Sequence, residues 1–583
     1  MLLRILLVLL LLSSAYYLAP GVVCEQVNST FNNPILPGFH PDPSCIFLQE
    51  WNNTFFCASS SFNVFPGIPI HASKDLKNWK LIGHVLSRQE QLPRLAETNR
   101  STSGIWAPTL RYHDETFWLV TTVIIFHARN PFDSHSWSKA IHFRFEGYDT
   151  EPFWDDDGKS YITGAHAWKV GPRIEQTEVD LRTGEVNGWK TIWKGTGGTA
   201  PEGPHIYRKD GYYYLLAAEG TFPRGTGLDH MVTIARSKNL DGPFESNPGN
   251  PILSNANTTN YFQTVGHADL FQDASKKWWG VALSTRAGAT YLNFPMVRET
   301  VLTSVTWDEG DWPRMTQISG KMSGWEMPRA NFDVNGPGPW ISNGEVEGDD
   351  IDFAPSTKLP SHFAYWRYPI ETSYTISPPE HHHSLRLTPS TLNLTGLNGN
   401  YAGPTGQTFV GRRQQDTLFT YSVTVDFAPT IEEEEAGVSA FLTQNHHFDL
   451  GVVLLPAMAG TQAVPGYSLT GRSSDELRRH IRFRGISYVS VPDDIIAAVP
   501  EEWEGKPLSL QIKATNMTHY AFSAGPAGAA SQMRTIVSAS NDALSWGFTG
   551  VLLGVYSTSN GGSGSTPAYI SDWKYVPQGQ YRD

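Results

Sequence analysis

The 583-residue chain carries 44 Lys and Arg against 57 Asp and Glu, a net charge of −13, with 40% hydrophobic and only 17% charged residues. Together with 52 Gly, 39 Pro and 19 Trp, this describes a loop-rich globular chain of more than one domain and excludes a disordered or coiled-coil one. No Lys/Arg run tracks phosphates, so nucleic acid and an anionic membrane surface are excluded as partners.

At the N-terminus, Arg4 precedes the apolar run Ile5 to Leu12 and the small residues Ser13 to Ala15. One positive charge, a short apolar stretch and small residues predict a secretory signal peptide over residues 1–24, and the run is too short to span a bilayer. Six Asn-X-Ser/Thr sequons, at Asn28, Asn52, Asn99, Asn257, Asn393 and Asn516, agree with a secreted, extracellular glycoprotein. Cys45 and Cys57 flank the turn-like stretch Gln49–Thr54. A hairpin disulfide and two buried thiols are both compatible with that spacing.

Next comes a repeated unit: an aromatic, a polar turn, then a strand rich in aromatics. It begins at Trp51, Tyr112, Phe153, Tyr207 and Phe271, so the copies start 41–64 residues apart. Each copy is a hairpin signal, with Asn, Asp or Gly where positive φ is needed. The spacing allows one four-stranded sheet per copy and predicts a five-bladed β-propeller over residues 32–335, with a two-sheet sandwich as the alternative. Residues 336–350, rich in Gly, Pro and Asn, read as a linker. Beyond them the hairpin signature stops while strands continue, for example at Leu385–Leu387, Tyr421–Val425 and Leu508–Ile512. Residues 351–583 are expected to form a β-sandwich of the jelly-roll type. The run His381–His383 reads as a solvated loop, because neighbouring strand positions point to opposite faces.

A propeller brings the inner strands of all blades to one central pocket, where carboxylates distant in sequence converge. Asp42, Asp149 and Glu202 border three different repeat units, two of them beside Pro or Gly in apolar surroundings. Glycosidic cleavage needs such a set: an acid for the leaving oxygen, a base for water, and neighbours that separate their pKa values. Each residue taken singly also fits a turn cap or surface position.

The motifs Asn33-Pro-Ile-Leu-Pro-Gly-Phe-His-Pro-Asp-Pro-Ser44, Gly104-Ile-Trp-Ala-Pro-Thr109, Pro201-Glu-Gly-Pro204 and Gly266-His-Ala-Asp269 are specific. So are Phe409-Val-Gly-Arg-Arg-Gln414 and Gly547-Phe-Thr-Gly550. With them the chain resembles glycoside hydrolase family 43, in its β-xylosidase/α-L-arabinofuranosidase group with an appended C-terminal sandwich. The resemblance implies an inverting exo-hydrolase with Asp42 as general base, Glu202 as general acid, and Asp149 orienting that acid and tuning its pKa. It implies that Arg286 binds sugar hydroxyls, although Ala287 stands where the family often has Pro. His267 would face the propeller axis and contact water or a cation, or be a satisfied core residue. Trp106 and Phe62 would wall the sugar or pack within blades. Phe548 would close the pocket or belong to the sandwich core. No cofactor is required and no transition-metal ligand set is apparent, while a structural calcium is compatible with the family. The expected partners are xylan, arabinoxylan and their oligosaccharides. β-D-xylosidase activity comes first, α-L-arabinofuranosidase second, and a non-catalytic sugar-binding propeller is the reading from another class.

Overall fold

The hairpins follow from local chemistry. In the computed structural model, which describes residues 28–198, 200–220, 230–399, 406–459 and 476–583, the expected signal peptide at 1–24 lies outside the described residues. Asn52 and Asn53 both sit at positive φ and join Ser44–Leu48 to Thr54–Ala58. Asp114 with Glu115, and Asp210 with Gly211, turn two further hairpins in the same way. Two consecutive left-handed residues give the tight turn whose twist matches the flanking strands. All five aromatic–turn–aromatic repeats form hairpins, each supplying the first two strands of a sheet.

Each hairpin grows into an antiparallel blade of at least four strands. The inner strands, in chain order, are Ser44–Leu48, Thr109–His113, Gly147–Trp154, Glu202–Lys209 and Phe262–Gln272. The fold is all-β, and the described residues contain no α-helix and no helix long and apolar enough to cross a membrane. Residues 30–40 close the ring: Thr30–Asn32 pairs with Lys321–Ser323, and Leu36 bridges Thr300 of the last blade. The Asn33 side chain donates to the Leu302 carbonyl (3.0 Å) and accepts from its N–H (2.8 Å), fastening the chain start to the fifth blade. Aromatics fill the seams between blades; Trp51 and Phe56 meet Phe117 edge-on at 5.1 and 5.3 Å. Such pairs add about 0.5–1.5 kcal/mol each beyond their burial. Cys45 and Cys57 stand opposite one another on the first hairpin and are joined by a disulfide.

The stretch 336–350 is not a free tether. Trp340–Ser342 pairs with the outer strand of the first blade at Asn78–Lys80, and Asp349–Ile351 already belongs to the second domain. That domain stacks an eight-stranded sheet on a six-stranded one. Its strands read as half-buried ones should: along Leu508–Ala514 buried residues alternate with half-buried or exposed ones. Trp573, Phe448, Phe483 and Phe522 fill the space between the sheets. The chain end returns to the propeller, where Arg582 Nε donates to the Asn33 carbonyl at 3.1 Å and the Asp583 carboxylate accepts from the Gly320 N–H at 3.0 Å.

Candidate active site

The inner strands of blades three, four and five each lose register near the propeller axis. The breaks lie between Tyr148 and Glu151, between Glu202 and His205, and between Gly266 and Asp269. Inside each break sits a residue in the left-handed region: Asp149 (φ 51°), Gly203 (55°) and His267 (49°). Asp42 (51°) and Ala107 (35°), just before the inner strands of blades one and two, share that conformation. A bulge of this kind bends the strand and re-aims a side chain. For a non-glycine residue the conformation costs on the order of 1–3 kcal/mol, and it gathers where a site needs it. Gly203 has a reason of its own: a Cβ there would lie 2.8 Å from the His267 ring, so the Pro201–Pro204 motif carries glycine where the imidazole passes.

The side chains so aimed share one cavity of about 530 Å³, which Asp42, Asp149, Glu202, His267 and Arg298 all line. Asp42 is 5% exposed, accepts from the Ser60 hydroxyl at 2.6 Å, and pairs with Arg298 Nη1 at 3.2 Å. His267 Nδ1 lies 3.8 Å from both Asp42 and Asp149. Glu202 accepts a hydrogen bond from the Tyr148 hydroxyl and stands 3.9 Å from His230 Nε2. Burial raises the Glu202 carboxyl to about 7; Arg298 opposes the rise and Asp42 adds to it. Asp149 is held well above the usual carboxylate range by burial, then by Glu202 and Asp42, against Arg298 and the Gly203 N–H. Both histidines are neutral at ordinary pH, because burial lowers His267 to about 4 and His230 to about 3. Three largely buried carboxyl groups thus face one guanidinium, an arrangement that keeps a proton on one acid while another accepts.

The walls come from both domains. Phe62 and Trp106 line the cavity on the propeller side, and Phe548 of the sandwich stacks on Phe62 with ring centroids 6.2 Å apart. The Arg298 guanidinium lies over the Phe548 ring at 4.5 Å, so the second domain also touches the cation that serves Asp42. The loop carrying Arg298 is fixed from the sandwich: Phe294 N–H donates to Ser545 Oγ at 2.7 Å, and Val551 N–H to the Pro295 carbonyl at 3.0 Å.

One expected residue is elsewhere. Arg286 is 2% exposed and does not line the cavity; its guanidinium grips Glu299 through two hydrogen bonds of 2.7 and 2.8 Å and donates to Gln580 and the Tyr581 carbonyl. Glu299, the first residue of the strand Glu299–Thr306, holds Arg286 at the seam beside Gln580 and Tyr581, while Arg298 just before it lines the cavity. Arg298 was not singled out from the sequence, nor was Tyr148, although Tyr148 adjoins Asp149 and shares its short motif. Among the described residues no three His, Cys, Asp or Glu side chains gather to hold a metal. His381 instead pairs with Asp426 at 2.9 Å.

Below the acids a second polar layer crosses the axis, built from residues two or four positions after the left-handed ones. Asp269 accepts from Ser44 (2.6 Å), Tyr207 (2.6 Å) and Arg111 (2.8 Å), and Arg111 also reaches Glu151 (3.3 Å) and His205 (3.1 Å). This layer ties all five blades together beneath the cavity.

Residues 31–313 match the model of glycosyl hydrolases family 43, and residues 350–576 match that of the beta xylosidase C-terminal concanavalin A-like domain. The chain is 33% identical over 561 residues to a non-reducing end alpha-L-arabinofuranosidase of Bacteroides ovatus, covering 93% of this chain and 94% of that protein. It is 31% identical over 457 residues to a beta-xylosidase of Bacillus subtilis, covering 72% and 80%. The crystal structure of xylan beta-1,4-xylosidase from Bacillus halodurans superposes with a TM-score of 0.75 at 26% identity, covering 94% of this chain and all of that one.

Proposed function

The chain belongs to glycosyl hydrolase family 43 and is a glycoside hydrolase, and we propose that it removes terminal β-D-xylosyl residues from xylo-oligosaccharides and xylan. The observation that carries this reading is the meeting of Asp42, Asp149 and Glu202 around Arg298 in a cavity stopped at one wall by Phe548. A cavity stopped in this way admits a chain end, and its aromatic walls cover a small sugar ring.

In the proposed reaction Glu202, kept protonated by burial near neutral pH, gives its proton to the leaving oxygen. Asp42, which accepts from Ser60 and Arg298, takes a proton from the attacking water. Direct attack by that water inverts the anomeric centre. Glu202 raises the cost of ionising Asp149 beside it, and Tyr148 fixes the orientation of the acid. The neutral His267 spaces Asp42 from Asp149 without adding charge.

A second reading, α-L-arabinofuranosidase activity on arabinoxylan, is favoured by the name of the Bacteroides ovatus relative, which spans 93% of the chain. We further propose that the protein acts outside the cell. The leader-like residues 1–24 and the exposed sequons Asn52, Asn99, Asn257 and Asn516 support secretion as a glycoprotein. Paired assays with 4-nitrophenyl β-D-xyloside and 4-nitrophenyl α-L-arabinofuranoside test the sugar. Cleavage of neither, or release of internal fragments from xylan without free pentose, would overturn the reading.

A further inference from the structure

Two neighbouring arginines at the end of the sandwich strand Thr408–Arg413 have opposite surroundings. Arg412 is turned into the sandwich, where its guanidinium pairs with Asp349 at 3.0 Å and lies over the Tyr575 ring at 3.8 Å. Arg413 points the other way, into the seam with the propeller, and its Nε donates to the Phe39 carbonyl at 3.1 Å. Among the described residues no carboxylate pairs with Arg413, and its Nη2 is buried without a hydrogen-bond partner. Burial, with no acid to oppose it, pulls this guanidinium down to about 10.

Three histidines of the propeller gather at the same place. His40 stands two residues before Asp42, while His71 and His84 lie on adjacent strands of the first blade, Gly67–Ser73 and Asn78–Leu86. The His40 and His71 rings meet edge-on with centroids 5.0 Å apart, and the charge of Arg413 acts on all three imidazoles. All four side chains are at most 5% exposed. Burial, joined by Arg413, lowers His71 and His84 to about 3, and burial with His71 and Arg413 holds His40 well below the ordinary range. The full charge in the group is therefore that of Arg413. His40 Nδ1 is engaged with the Pro37 carbonyl at 3.0 Å, whereas His71 Nδ1 is buried without a partner, like Arg413 Nη2. His362, on the sandwich side of His84, is occupied by Asp349 at 3.0 Å. His40 and Arg413 stand in two of the specific motifs, Asn33–Ser44 and Phe409–Gln414, yet the proposed reaction uses neither.

We propose that Arg413 and His71, with His40 and His84 around them, form an interdomain site for one small monovalent anion of the halide class. A buried cation without a counter-charge is costly, and so is a buried polar atom without a partner; one anion relieves both. The charge of the group matches a single negative charge. The size follows from the seam, which is so tight that a Cβ on Gly38 would lie 2.3 Å from the Gln414 carbonyl. Chloride accepts N–H donors from a guanidinium and a neutral imidazole, and it gives up water more readily than fluoride. Bound there, it ties the sandwich to the Phe39–His40 segment that leads into Asp42.

Melting curves at constant ionic strength, in sodium chloride against sodium gluconate, make the first test, because gluconate is too large to enter. With a Kd of about 10 mM, about 150 mM chloride favours the folded state about 16-fold, a rise of roughly 3 °C in melting temperature. The rise should level off with increasing chloride, and bromide should reproduce it. In Arg413→Met the difference between the two salts should vanish. Should that variant not fold, the unmutated protein still decides: crystals soaked in bromide, at the concentration that saturates the melting shift, should show an anomalous peak within hydrogen-bond reach of Arg413 Nη2 and His71 Nδ1. Water in that place, a melting temperature indifferent to the two salts, or a chloride response that persists in Arg413→Met would overturn the site. A peak seen only far above the saturating concentration is an adventitious ion only, and overturns it equally.

Discussion

Replacing Glu202 by Gln should slow turnover and at the same time stabilise the protein, with a pH dependence that identifies the cause. Burial raises the Glu202 carboxyl from 4.5 to about 7 in the folded chain. The native state therefore holds a proton that the unfolded chain releases between those values, and stability falls as pH rises through that window. A rise of that size corresponds to about 3 kcal/mol. Because the side chain keeps 15% exposure toward the cavity, about 2–3 kcal/mol is the better expectation. Gln keeps the shape and the acceptor for Tyr148 but has no proton to lose. At pH 8 the variant should melt about 4–6 °C above the parent, taking roughly 2 °C per kcal/mol for a domain of this size. At pH 4.5 the two should melt together. Turnover of substrates with poor leaving groups should fall by about 10²–10⁴, with activated aryl glycosides losing less. Scanning calorimetry of both proteins at the two pH values, with paired kinetics, makes the check. If the melting difference is the same at pH 4.5 and pH 8, burial is not what raises this carboxyl, and the assignment of Glu202 as the acid loses its physical basis.

The unmutated enzyme should lose kcat/KM as pH rises through about 7, the limb belonging to the coupled acids as a group. Arg298→Met should move that limb upward, because Arg298 opposes the rise of both Glu202 and Asp149; a limb that stays in place would remove Arg298 from the electrostatics of the acids. Arg286→Ala should cost about 3–5 kcal/mol by leaving Glu299 buried and unpaired, with near-normal kinetics in the folded fraction; a purely kinetic loss with intact stability would return Arg286 to sugar binding. Phe548→Ala should raise KM with a nearly unchanged melting temperature, since the ring borders the cavity; early melting with parental kinetics would make it a packing residue. Proton NMR in the first minutes of hydrolysis of a β-xyloside should detect α-xylose first, and initial β-xylose would refute direct attack by water.

The hairpins were legible because their determinants are local. Asn52-Asn53, Asp114-Glu115 and Asp210-Gly211 set backbone conformation whatever lies around them, and the aromatics beside them announce strands. The acids were legible only as members of motifs: nothing in the spacing of Asp42, Asp149 and Glu202 says that they meet, since closure of the ring brings them together. The error over Arg286 has the same origin. Arginines 286 and 298 are both near the fifth blade, and which one faces the axis depends on Glu299, a contact visible only after folding. The stretch 336–350 was legible as a short connection, while its pairing partner was not. Gly and Pro mark loops, but the Trp340–Ser342 segment finds an unpaired strand edge on the first blade, and an open edge recruits a strand from any suitable neighbour. The contribution of the sandwich to the cavity wall had a trace in Gly547-Phe-Thr-Gly550.

The two polar layers on the axis use nearly the same residue types to opposite ends, and the contrast explains where the chemistry sits. In the lower layer Arg111 lies between Glu151 and Asp269, each carboxylate has further donors, and although burial opposes it, Arg111 holds Asp269 well below the usual range. Every charged group there is hydrogen-bonded, so the layer is a rigid floor. In the upper layer Asp42, Asp149 and Glu202 face Arg298, and burial has made both nearby histidines neutral. Charges there cannot all be satisfied, and the system responds by keeping protons that water would remove. The left-handed residues join the layers: each bulge aims a functional group upward, and the residue two positions on, from Ser44 to Asp269, points into the floor. A propeller can tolerate an unsatisfied upper layer because five blades share a satisfied lower one. Substitutions at Arg111 or Asp269 should therefore disturb the acids without touching the sugar, whereas substitutions among the acids should leave the ring of blades intact.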